Sequence, residues 1–204
     1  MVNATVFLEG AATGPDSKEQ KIRCREGFHK LLYKCGFNDR MPRLKACGSR
    51  GAAFADFKTA IAGRTGEAFV ALWIDSEEPL QDLDAAWRHL KRRDRWSRPA
   101  GAEDEQVLFM TTCMETWIVA DRATLLKHYI TLQVSALPPL EKLESRHRHE
   151  IHEKLKHATR NCTNAYTKGT PSFKILGELS PAALEPHLPG FVRARRILNK
   201  KLPQ

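Results

Sequence analysis

Three apolar runs in this chain lead into carboxylates. Segment 4–9, ATVFLE, ends at Glu9. Segment 67–74, EAFVALWI, is followed at once by Asp75, with Glu77 two residues on. Segment 106–113, QVLFMTTC, leads into Glu115. Carboxylates brought together repel, and burying them costs several kcal/mol unless something neutralises them. A divalent cation does so economically, and hard oxygen ligands suit Mg²⁺ or Mn²⁺. The expected ligands are Glu9, Asp75 and Glu77, with Glu115 placed to bind a second ion or to orient a ligand. Taken singly, Glu77 and Glu78 ahead of Pro79 read better as turn or helix-cap residues. It is the three run ends together that point to a site.

For these acids to meet, the runs must be neighbouring strands. Unbroken apolar runs such as 67–74 fit a parallel sheet covered on both faces. Between them lie helical patterns. Residues 17–35 carry Cys24, Phe28, Leu31, Leu32 and Cys35 at three- and four-residue spacing, with Ser17 as N-cap and Gly36 where a C-cap belongs. A small-residue loop, 10–15, precedes that helix. A short strand RLKAC follows it, then a helix over 50–62, the strand 67–74, and a helix over 81–93. The strand 106–113 leads into helical METWIVAD and RATLLKHY. The alternation βαβαβαβα implies an α/β fold with a doubly wound, mostly parallel sheet. In such sheets ligands bind beyond the carboxyl ends of the strands. The division expected is an α/β domain over 1–130 and a C-terminal helical extension over 131–204.

The chain has 204 residues, 42% of them hydrophobic, enough for one good-sized core. No apolar run approaches the roughly 20 residues needed to cross a bilayer, and no signal-peptide pattern is present, so the expected compartment is the cytoplasm. Five scattered cysteines, with no C-x-x-C pair, read as small buried residues rather than as a disulfide framework. A net charge of +9 suggests a polyanionic partner, foremost nucleic acid. There is no G-x-x-x-x-G-K-[ST] loop and no G-x-G-x-x-G after the first strand, which argues against ATPase and dinucleotide sites.

The pattern resembles the TOPRIM domain, which carries a Glu followed by Gly at the end of its first strand and an Asp-x-Asp at the end of its third. Here VFLEG supplies Glu9 and Gly10. LWIDSE supplies Asp75 and, as a departure, Glu77. Over nearly its whole length the chain is similar to a family of small bacterial TOPRIM-like proteins, the domain of unknown function 4276 family, often encoded among phage-defence genes. The stretches that carry this are DRMPRLKACGSRGAAFADF, LFMTTCMETWIVAD and AYTKGTPSFKIL. The resemblance implies a TOPRIM-like fold and a metal-dependent nuclease-like activity on DNA or RNA, working in anti-phage defence, with a separate ATPase subunit as a candidate partner.

On that reading Asp75 and Glu77 hold Mg²⁺, while Glu9 completes the metal shell or serves as general base. Lys168 and Arg50 contact the substrate phosphate. Trp117 reads as core and Asp121 as the N-cap of RATLLKHY. The basic runs RHLKRRDRWSR and RARRILNKK read as solvated faces. The histidines of SRHRHEIHEKLKH read as a polar helix surface outside the stripe of Ile151, Leu155 and Ala158. The competing readings are a non-catalytic nucleic-acid-binding or partner-docking subunit and a phosphoacceptor domain with Asp75 as acceptor. The basic balance and the long C-terminal part count against the last. An oligomer is compatible with the sequence.

Overall fold

The computed structural model describes residues 3–10 and 17–202; the loop expected after Gly10 lies outside them. The order is β1 (Ala4–Glu9), α1 (Ser17–Leu32), β2 (Arg43–Gly48), α2 (Arg50–Ala62), β3 (Phe69–Asp75), α3 (Ala86–Asp94) and β4 (Val107–Met110). Six helices complete it: α4 (Met114–Ala120), α5 (Arg122–His128), α6 (Arg148–Thr159), α7 (Thr170–Glu178), α8 (Pro181–Leu184) and α9 (Pro189–Lys201). The four strands form an all-parallel sheet in the order β2-β1-β3-β4. The chain winds from β1 outward to β2, then returns past β1 to β3 and β4. The winding reverses between β1 and β3, which is where an open α/β sheet leaves a crevice.

Strand residues alternate between two cores, as the pleat requires. Val6, Leu8, Ala71, Trp73, Leu108 and Met110 face one core, and Phe7, Val70, Leu72, Ile74, Val107 and Phe109 face the other. Helices α2 and α3 cover the second. The first, larger core takes α1 and buried residues from α4 through α9. There Trp73 packs against Phe28 (ring centroids 5.1 Å apart) and edge-on against Trp117 (5.9 Å). The helices after residue 130 therefore share the main core with the sheet. Among the described residues no helix is long and apolar enough to cross a membrane.

Several boundaries differ from expectation, each for a local reason. The helix over 81–93 starts only at Ala86, because Asp82 Oδ1 accepts the Asp84 N–H at 2.9 Å and holds that segment in a turn. Strand β4 stops at Met110; beyond it, the Ser76 and Glu77 N–H groups bond to the carbonyls of Met110 (3.1 Å) and Thr112 (2.7 Å). Helix α1 passes into a wider turn, and Gly36, at φ 87°, takes the left-handed conformation that ends it. Asp121 caps α5 through the Thr124 N–H at 3.0 Å, and also accepts the Ser180 N–H at 2.8 Å.

The C-terminal basic run is not wholly a solvated face. Arg193 is 6% exposed and reaches from α9 to the Val107 carbonyl (2.9 Å), the Asp104 carbonyl (3.0 Å) and Asp84 (2.9 Å). In the other basic run, Trp96 stacks on Phe54 with ring centroids 4.1 Å apart.

Candidate functional site

Strands β1 and β3 are hydrogen-bonded neighbours, with Leu8 opposite Trp73, so their carboxyl ends emerge together at the crevice. The Asp75 N–H donates to Glu9 Oε2 at 3.2 Å. Asp75 Oδ1 accepts the Met114 N–H at 3.0 Å, which ties the end of β3 to the start of α4. Among the described residues, Asp75 Oδ2 and Glu9 Oε1 accept no hydrogen bond. Burial raises the Asp75 carboxyl well above the carboxylate range, and the charges of Glu9 and Glu115 push it the same way. Burial also raises Glu9, with Arg50 acting against it.

The two acids line a cavity of about 270 Å³ together with Glu115, Lys168, Gly169 and Phe173. Glu115 enters from the first turn of α4, its side chain only 2% exposed. Its Oε1 accepts the Tyr166 hydroxyl at 2.6 Å and lies 3.9 Å from Lys168 Nζ. Its Oε2 is 3.1 Å from His152 Nε2. Burial alone would raise Glu115, but His152, Lys168 and Tyr166 together hold it at about 2. Glu115 is thus a fixed anion. Lys168, half exposed on the loop between α6 and α7, is the cation it holds at the cavity rim.

The remaining expected residues take other positions. The Glu77 carboxylate is clamped by Arg93 (3.2 Å) and Arg148 and is not part of the cavity lining. Its backbone is left-handed, φ 69°, which turns the side chain off the line of β3. Arg50 is an internal tie rather than a free cation. It pairs with Asp94 at 2.8 Å and Glu9 at 3.5 Å, donates to the Asp75 carbonyl, and lies over the Trp96 ring at 5.2 Å.

His152 lies outside the expected set yet belongs here. Where the sequence pattern leads one to expect a polar outer surface, His152 faces Glu115 with its side chain 17% exposed. Its one-turn offset from the buried Leu155 places it on the edge of the buried stripe, the one signal that separates it from the exposed His149 and His157. Tyr166 and Ser172, hydrogen-bonded at 2.8 Å, complete the support under Glu115.

Two donor sets follow from this geometry. The Glu9 and Asp75 carboxylates are hard oxygen ligands of the kind Mg²⁺ takes. Cys113, Glu115 and His152 bring ligand atoms within 4.8 Å of one another and form a softer set of the kind Zn²⁺ takes. The first set fits the expected cation better: it opens on the cavity, and among the described residues each acid keeps an oxygen that accepts no hydrogen bond. In the second, Glu115 is already engaged by Tyr166 and Lys168.

Comparison with curated proteins finds no match, and comparison with solved structures finds none either. A family model described as Domain of unknown function (DUF4276) matches residues 18–194, well over half of the chain. The protein belongs to that family.

Proposed function

We propose that this protein is a Mg²⁺-dependent phosphodiester-cleaving enzyme acting on nucleic acid. The observation that carries the proposal is the meeting of Glu9 and Asp75 at the reversal point of the sheet, each with a carboxylate oxygen that accepts no hydrogen bond among the described residues, beside a lysine held by a buried anion. Those two acids would hold the cation. When bound, Mg²⁺ would neutralise phosphoryl charge and steady the leaving oxygen. Lys168 would bind a non-bridging phosphate oxygen. Glu115, Tyr166 and His152 would keep Lys168 aimed at it. Arg50 would fix the spacing of the two strand ends by bonding to both. Work in anti-phage defence beside a separate ATPase subunit is part of the same proposal and rests on the resemblance in the sequence.

The test is cleavage of labelled DNA and RNA panels with Mg²⁺ or Mn²⁺, comparing wild type with Glu9→Gln and Asp75→Asn. Cleavage should depend on metal and fall by at least about a hundredfold in each variant. Equal rates in all three proteins would end this reading. A second reading, a non-catalytic nucleic-acid-binding or partner-docking module, draws support from Glu77, whose carboxylate is spent on Arg93 and Arg148. It requires salt-sensitive binding that survives chelation and Asp75→Asn, with no cleavage of any substrate.

A further inference from the structure

A larger recess adjoins the carboxylate cavity. It has a volume of about 680 Å³ and runs between α1, α7 and the loop joining α6 to α7. That is within the range of about 300–1,000 Å³ typical of small-molecule sites. The two spaces share a wall. Phe173 lines both, and in residues 167–170 the members alternate in allegiance: Lys168 and Gly169 line the cavity, Thr167 and Thr170 the recess. Whatever lies in the recess is thus one short step from whatever Glu9 and Asp75 hold.

The lining has two characters. Its floor is apolar, built from the nearly buried rings of Tyr129 and Phe173 with Ile175. Its lip is cationic. Lys30 on α1 and Lys174 on α7 both line it, and among the described residues neither has an ion-pair partner, whereas Arg23 and His128 beside them pair with Glu26 and Glu178. An apolar floor with free ammonium groups at the lip matches an unpaired nucleotide, which offers a flat base and flanking phosphates. A duplex does not offer this, because its base faces are stacked inside and only its backbone and the base edges in its grooves can be reached.

We infer that the recess between α1 and α7 receives the unpaired nucleotide next to the phosphate held at Glu9 and Asp75, so that single-stranded nucleic acid is the substrate class. The inference rests on the phosphodiester reading above and deepens it.

The test separates the two. Fluorescence anisotropy would measure binding of the full chain, in EDTA, to a fluorescein-labelled 12-nucleotide single strand of DNA or RNA and to the matching duplex. Single strands should bind about tenfold or more tightly than duplex. The double substitution Lys30→Glu/Lys174→Glu should weaken single-strand binding by at least about tenfold. Lys30→Gln/Lys174→Gln should lower the slope of log K against log salt by about 1.4, two phosphate contacts on a single strand. Lys58→Glu/Lys91→Glu, on the α2–α3 side of the sheet, should bind like wild type. Thermal melts of each variant confirm folding. Preference for duplex, or unchanged single-strand binding by a folded Lys30→Glu/Lys174→Glu protein, would overturn the inference. If nothing is cleaved yet binding depends on Lys30 and Lys174, the recess stands and only the enzymatic reading falls.

Discussion

At the scale of single residues, the arrangement turns on a division between carboxylates that are spent and carboxylates that are not. Glu115 is spent on Tyr166, His152 and Lys168, and it stays ionised. Burial raises both Glu9 and Asp75, the charge of Glu9 adding to the effect on Asp75, and among the described residues each keeps an oxygen that accepts no hydrogen bond. Glu115→Gln separates these roles. The amide keeps the Tyr166 hydrogen bond and loses the charge that holds Lys168. Cleavage should then slow by about a hundredfold, the effect of misplacing one preorganised cation. Binding of nucleic acid should hold or tighten, because a negative charge has left the rim. A merely structural Glu115 would give the opposite split, with a lowered melting temperature and both functions weakened in proportion. Glu9 and Asp75 could be read from sequence because strand ends announce themselves: an unbroken apolar run must stop somewhere, and a charge marks where. Tyr166 could not, and for His152 the spacing from Leu155 marks only a place at the edge of the buried stripe, not its partner. Each contributes one contact to Glu115, set by how α6 and the following loop pack on α4, and sequence periodicity carries no record of a contact between distant elements.

At the scale of elements, the site depends on how closely α7 lies against α1. A Cβ added at Gly27 would stand 2.5 Å from the Phe173 carbonyl oxygen, and one at Gly177 would stand 3.3 Å from Gly27 Cα. The two glycines let the helix backbones approach, and that approach sets Phe173 and, through it, the loop bearing Lys168. Gly27→Ala should therefore overpack the crossing and cost about 1–3 kcal/mol, read as a lower urea midpoint. It should also reduce nucleic-acid cleavage more than Gly51→Ala, where an added Cβ meets open space. Equal effects of the two substitutions on cleavage would detach the crossing from the site. The strands and most helices were legible because their apolar spacing is local. The late start of α3 was not, since the turn at Asp82 competes with helix through one side-chain hydrogen bond that a pattern of apolar residues does not register.

At the scale of the whole molecule, the C-terminal helices close the sheet rather than hang from it, and α9 is fastened both along its length and at its start. Along its length Arg193 fastens it to β4 and Asp84. At its start, Glu144 accepts the Gly190 N–H, at 2.9 Å to Oε2 and 3.1 Å to Oε1. Burial pushes the Glu144 carboxyl up to about 8 from an ordinary value of 4.5, with the Gly190 N–H working against it. The folded chain thus keeps a proton on Glu144 that the unfolded chain gives up above pH 4.5. This contribution to stability is whole below pH 4.5 and is lost as pH rises through about 8, at most about 1.4 kcal/mol per pH unit across the window. Glu144→Gln removes the titration while keeping an acceptor for Gly190. In urea unfolding at pH 5, 6, 7 and 8, stability of the wild type relative to Glu144→Gln should fall steadily with pH, so that the variant gains ground most at pH 8. Arg193→Lys removes the planar fork that reaches two backbone carbonyls and Asp84, and this protein should be less stable than wild type by a similar amount at every pH. A wild-type advantage over Glu144→Gln that grows with pH would mean that the carboxylate is stabilised as an anion at the start of α9, and the fastening would then be a charged cap rather than a buried acid.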